Sequence, residues 1–232
     1  MMTLRSARDR GHADFGWLDT RHTFAFDEFF DPAHVRFSDL RVLNEDRVKA
    51  GKGFGTHGHK NMEILTWVLS GALEHQDSLG SKGVIRPLQA QVMSAGTGIR
   101  HSEHNASETE PVHFLQIWLL PEADGLAPRY GQVDFEAKDL EGRWRLIASR
   151  DGSDGSARMN QDARIFVSRL AKAGSLSRDL DPVRNHWLQV AKGAVQANGL
   201  SLREGDGLAL SSEAHLNLAA DADAELMLFE LR

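Results

Sequence analysis

Cysteine is absent from all 232 residues. That excludes disulfides, thiolate metal sites and a cysteine nucleophile. No stretch approaches the ~18 consecutive apolar residues of a membrane-spanning helix. The segment Met1-Met2-Thr3-Leu4-Arg5-Ser6-Ala7-Arg8 carries charge but no apolar run, so no secretory leader is expected. Basic blocks are lacking as well: 27 Lys+Arg are interspersed with 33 Asp+Glu, for a net charge of -6. The electrostatic term that drives nucleic-acid binding is therefore missing, and direct contact with nucleic acid is not expected. Nor is there a phosphate cradle, since Gly96-x-Gly98 has neither a third glycine nor a following helical pattern. What remains is the expectation of a soluble cytoplasmic protein without a membrane partner.

Long helical periodicity is scarce too, and short apolar runs alternate with turn signals instead. Ile64 to Leu69 precedes Ser70-Gly71, Phe114 to Leu120 precedes Pro121, Trp187 to Val190 precedes Lys192-Gly193, and Leu226 to Leu231 lies near the end. Such spacing predicts an all-β sandwich or barrel. Helix is expected only in short pieces, with Asp179 to Arg184 a candidate.

The two halves echo each other. Val68-Leu69-Ser70-Gly71-Ala72-Leu73 matches Val190-Ala191-Lys192-Gly193-Ala194-Val195 in pattern. Each is followed by a further strand-like run, Gln91-Val92-Met93-Ser94 and Gly207-Leu208-Ala209-Leu210. Two jelly-roll-like β-barrels are predicted, a first domain over 1–135 and a second over 136–232. The polar, turn-rich run from Arg150 to Ser156 belongs to the connecting region.

Against this background two pairs of metal-capable side chains stand out. Gly53-Phe54-Gly55-Thr56-His57-Gly58-His59 contributes His57 and His59, and Gly98-Ile99-Arg100-His101-Ser102-Glu103 contributes His101 and Glu103. On a strand, residues i and i+2 point to the same face, roughly 6.5–7 Å apart. Two neighbouring strands would aim four ligands into one pocket. With no cysteine, a metal must sit on imidazole and carboxylate, which suits iron, manganese, nickel, cobalt, copper or zinc. The second half has no such pairs: His186 and His215 are isolated and read as structural or surface residues. His104 has the opposite parity from His101 and should face outward. His75, Trp67 and Trp118 read as structural.

These motifs resemble a known family. Gly51, five residues, His57-x-His59, three residues and Glu63 follow the first cupin motif, and Gly98-x-x-His101, three residues and Asn105 follow the end of the second. The wording around Glu74-His75-Gln76-Asp77-Ser78 and Met93-Ser94-Ala95-Gly96-Thr97-Gly98, with Gly11-His12-Ala13 and His22-Thr23-Phe24-Ala25-Phe26 before it, is similar to the bacterial branch of the pirin bicupins. Two departures concern loops: seven residues rather than six separate Glu63 from Gly71, and Gly96 replaces a proline.

The resemblance implies a bicupin with one divalent ion, Fe(II) by expectation, held in the first barrel by His57, His59, His101 and Glu103. General cupins would use Glu63 instead. The two-residue spacing from His101 favours Glu103, with Glu63 standing behind a ligand imidazole. Bacterial members resemble quercetin 2,3-dioxygenases, which open a flavonol with O2 and release carbon monoxide. The implied partners are thus an aromatic small molecule and O2, with Glu103 as the base that takes the substrate proton. Two other readings go with the likeness: a metal-dependent regulatory protein that binds a protein partner, and a cupin enzyme acting on another small oxygenated substrate.

Overall fold

In the computed structural model, which describes residues 1–232, almost all regular structure is β-strand, with three short 3-10 turns. By contacts the chain forms two compact units: Gly11–Phe135 with Ala148–Gln161, and Glu136–Ile147 with Asp162–Arg232 and Met1–Arg10. Relative to a division at 135/136, residues 1–10 and 148–161 are grouped with the opposite unit. No helix is long and apolar enough to cross a membrane.

Each unit pairs a large sheet with a small one, as a jelly roll does. In the first, the seven-stranded sheet runs through Arg129–Asp134, Gln89–Ser94, Glu63–Ser70, Val112–Leu119, Leu40–Val48, Leu18–His22 and Gly11–Asp14 in spatial order. Its four-stranded companion is ordered Gly53–His59, Ile99–Asn105, Leu73–Asp77, Lys82–Ile85. The second unit repeats the small sheet as Ser175–Asp179, His215–Ala220, Ala194–Ala197, Leu200–Arg203.

The two kinds of sheet bury their strands differently. Glu63–Ser70 and Ala224–Leu231 lie at sheet centres and are buried almost end to end, which is why they read as continuous apolar runs. Leu73–Asp77 and Ile99–Asn105 alternate buried and exposed, so residues 73, 75, 77 and 99, 101, 103, 105 face inward. That alternation is what places the functional side chains.

The echo between the halves is structural. Gly71 joins Glu63–Ser70 to Leu73–Asp77, and Gly193 joins Asn185–Lys192 to Ala194–Ala197, both with left-handed φ of 77° and 81°. The expected helix at Asp179 to Arg184 is not formed. Asp179 ends a strand, and Pro182 follows Asp181, whose carboxylate accepts the Val183 N–H in a tight turn. A side chain that satisfies the backbone locally competes with helix here.

At Gly71 a Cβ would meet the Pro111 carbonyl oxygen at 2.7 Å, in addition to the cost of the left-handed backbone. Gly71→Ala should lower unfolding stability by about 1–3 kcal/mol. Gly193→Ala, against the Asp223 carbonyl, should do at least as much. Chemical denaturation of each variant checks this, and midpoints unchanged from the parent would refute it.

Candidate metal centre

The Ile99–Asn105 strand is central in the small sheet, so its inward residues have neighbours on both sides. His101 lies opposite His57 on one flanking strand and Asp77 on the other, and Glu103 lies opposite His75. A bulge between His101 and Glu103 shifts the register on Gly53–His59, so that Glu103 pairs with Phe54. The extra residue flips parity, and Phe54 turns inward along with His57 and His59.

The result is a tight imidazole cluster. Donor atoms of His57, His59 and His101 all lie within 4.8 Å of one another, as do those of His75, His101 and Glu103. His57 Nε2 faces His101 Nε2 at 3.0 Å. His57 Nδ1 lies 2.9 Å from the Gly55 carbonyl, which can only accept, so the proton of a neutral His57 sits on Nδ1 and its Nε2 carries a lone pair. Nitrogens of two ligands bound at right angles to one ion at ~2.1 Å would lie about 3 Å apart. The observed spacing fits a first-row divalent ion.

Protonation state agrees with that fit. Burial, and then the neighbouring His57, His59 and His75, pull the His101 pKa down to about 2. Burial and then His57 pull His59 down to about 4. Both rings are neutral at pH 7, the form that ligates metal.

Glu103 is buried opposite the cluster. Its Oε2 accepts the Gln116 amide at 2.9 Å, and the Gln116 carbonyl in turn accepts the Thr66 hydroxyl at 3.0 Å. That second bond fixes which way the amide points. Oε1 is buried with no hydrogen-bond partner, an acceptor that an ion or a substrate proton would satisfy. Burial raises the pKa to about 7, against the pull of the Gln116 amide. Glu103 groups with His101 and His75 rather than with the full His57–His59–His101 triple.

Glu63 stands elsewhere. Its carboxylate accepts Ser94 Oγ at 2.6 Å, Asn160 N at 2.9 Å and Asn160 Nδ2 at 3.3 Å, and it anchors the 148–161 segment. The expectation that it stands behind a ligand imidazole does not match these partners. His104 is exposed and Trp67 is core, as their strand positions suggest. Trp118, expected in the core, instead lines the pocket, its ring edge-on to His59 with centroids 4.9 Å apart.

The cluster closes one side of a cavity of about 760 Å³. Trp17, Phe26, Phe54 and Trp118 supply its aromatic lining, and His22, Asn44, Asp46 and Gln116 its polar points. Size and composition match a small-molecule site. The second unit has no counterpart to the cluster: the strand equivalent to Ile99–Asn105 turns Leu216, Leu218 and Ala220 into an apolar core. His215 is exposed and bonded to Asp179, and His186 is buried.

Sequence reasoning missed Gln116, Thr66, Asp77 and the aromatic lining. Two signals were available. Gln116 is a polar residue inside the apolar run Phe114 to Leu120, and Asp77 has the same i, i+2 relation to His75 that picked out the two metal-capable pairs.

A jelly-roll pair with a histidine cluster inside one barrel defines a bicupin. The pirin family pattern matches residues 3–119, and that of the quercetinase C-terminal cupin domain matches residues 146–231. The chain belongs to the pirin family. It is 48% identical over 231 residues to a protein of Escherichia coli K12 named quercetin 2,3-dioxygenase, covering 100% of this chain and 99% of that one. It is 39% identical over 221 residues to a pirin-like protein of Caulobacter vibrioides, covering 95% of each. The crystal structure of the E. coli pirin YhhW in complex with nickel(II) superposes with a TM-score of 0.94 at 47% identity, covering 100% of this chain and 99% of that one.

Behind Glu103, Asp46 is fully buried, and burial raises its pKa from 3.8 to about 7, with Glu45 and Asp19 adding to the rise and a Thr20 hydrogen bond opposing it. A carboxyl whose folded pKa is raised favours folding while protonated, and that contribution is lost as pH climbs from about 4 to 7. Asp46→Asn should therefore match the parent near pH 4 and exceed it in Tm above pH 7, measured in EDTA. A difference in Tm that does not vary with pH would contradict the assignment.

Proposed function

We propose that this protein is a metal-dependent dioxygenase that opens the central ring of a flavonol such as quercetin with O2 and releases carbon monoxide. One observation carries the reading: opposed imidazole nitrogens 3.0 Å apart beside an aromatic-lined cavity of about 760 Å³. A structural ion would need a closed site, whereas this cluster opens onto a space large enough for a planar organic molecule.

His57, His59 and His101 would hold the ion as neutral ligands, and the Glu103 carboxylate would complete the set. Fe(II) is the expected metal, and the nickel complex of YhhW makes Ni(II) the next to test. When bound, the ion supplies Lewis acidity toward the flavonol 3-hydroxyl. The remaining work falls to side chains. Glu103, with one oxygen that no protein group engages, takes the hydroxyl proton. Gln116 grips the other oxygen and keeps the carboxylate turned toward the cavity. Trp17, Phe26, Phe54 and Trp118 stack on or edge against a flat substrate and keep water from the reacting ring.

The aerobic protein reconstituted with Fe(II) or Ni(II) and given quercetin should consume O2 and release CO in step. Glu103→Gln should lower kcat by about 10²–10⁴-fold. His101→Ala should fail to retain metal on dialysis, as elemental analysis would record. No CO with any first-row divalent ion, or full metal content and activity in Glu103→Gln, would sink the proposal.

A further inference from the structure

The buried face of the Leu73–Asp77 strand carries a second pair, His75 and Asp77, outside the proposed ligand set. Neither side chain is accessible to solvent. The Asp77 carboxylate is fixed at both oxygens. Oδ1 accepts the Leu79 N–H at 2.9 Å and the Ser81 N–H at 3.0 Å, and Oδ2 faces His75 Nε2 at 3.1 Å. The other nitrogen of that ring, Nδ1, faces His101 Nδ1 at 3.4 Å. The Tyr130 ring lies against His75 with centroids 4.8 Å apart, and the Tyr130 hydroxyl donates to Gln132 instead.

These contacts favour one arrangement of the protons. A carboxylate only accepts, so His75 must place its proton on Nε2. Its Nδ1 is then a bare lone pair and needs a donor. Its hydrogen-bond partner is His101 Nδ1 at 3.4 Å, which satisfies it by carrying the His101 proton. That leaves His101 Nε2 unprotonated and aimed at His57 Nε2, itself unprotonated because His57 donates from Nδ1 to Gly55.

We infer that Asp77 and His75 are positioning residues that set the His101 tautomer, through the hydrogen-bonded chain Asp77–His75–His101, so that its Nε2 is free to bind the ion. His75 is thus not a ligand, although its ring lies within 4.8 Å of donor atoms of His101 and Glu103: both of its nitrogens are engaged. With both rings neutral the chain ends in two lone pairs pointed at each other, a contact that a bound cation reconciles. Outer partners of this kind orient ligand imidazoles and raise their basicity in metal sites generally.

The inference rests on the proposed metal site, and a near-isosteric swap tests it separately. In Asp77→Asn the amide oxygen continues to accept from Leu79 and Ser81, while an N–H₂ replaces the oxygen that faced His75. His75 must then expose its Nε2 lone pair and carry its proton on Nδ1, and His101 in turn is driven to protonate Nε2. Imidazole nitrogen NMR on metal-free protein should show His101 protonated at Nδ1 in the parent and at Nε2 in Asp77→Asn. Chelator competition with Ni(II) should show affinity weakened about 10–100-fold in the variant. Asp77→Glu, which keeps a carboxylate, should restore part of the affinity.

A parent His101 protonated at Nε2, or an Asp77→Asn variant that binds Ni(II) as tightly as the parent, would overturn the inference. A parent that binds no metal would overturn the proposed function instead. The tautomer reading is taken without metal and separates the two.

Discussion

Two imidazole nitrogens face each other at 3.0 Å, and with both rings protonated at Nδ1 their lone pairs repel unless something positive lies between them. Everything around them works to keep them there. The Gly55 carbonyl holds the far side of His57, and the Asp77–His75 pair holds the far side of His101. Sheet pairing sets the separation, because His57 and His101 are cross-strand neighbours in register. The bulge next to them turns Phe54 inward as well. The site is thus a frustrated contact that a bound ion would relieve, built from backbone pairing rather than from flexible loops.

The second unit shows what the same frame does without that frustration. Its small sheet has the same strand order, yet the inward positions of the equivalent central strand are Leu216, Leu218 and Ala220 where the first has His101, Glu103 and Asn105. Those side chains join Val195, Ala197 and Leu202 in one apolar cluster. Filling the interior with hydrocarbon removes both the pocket and any need for charge balance. One frame therefore supports either a packed core or a reactive cavity, and the choice is made at a few alternating positions.

Much of this was legible in the sequence, because strands transmit position through a period of two. The shared facing of His57 with His59 and of His101 with Glu103 was read that way, and the glycine-centred echo at Gly71 and Gly193 gave the repeated hairpin. Failures arose where partners come from another sheet or a distant segment. Glu63 looked like a neighbour of the ligands, but its partners are Ser94 and Asn160, and no local spacing announces Asn160. Trp118 read as core because its run is apolar, and only the facing sheet shows that its ring borders a cavity. The 179–184 segment was read as a short helix, yet Asp181 and Pro182 turn the chain.

The Met2–Arg5 strand pairs with Gly207–Ser211, in register from Met2 opposite Leu210 to Arg5 opposite Gly207. During synthesis this strand therefore leaves the ribosome some two hundred positions ahead of the edge it will occupy. Its partner strand does not exist until the intervening sequence has been made. Such distant pairing slows completion of a fold and leaves an open strand edge in the interim. A short, charged segment with Arg5, Arg8 and Arg10 suits that interval, since like charges discourage it from pairing with copies of itself.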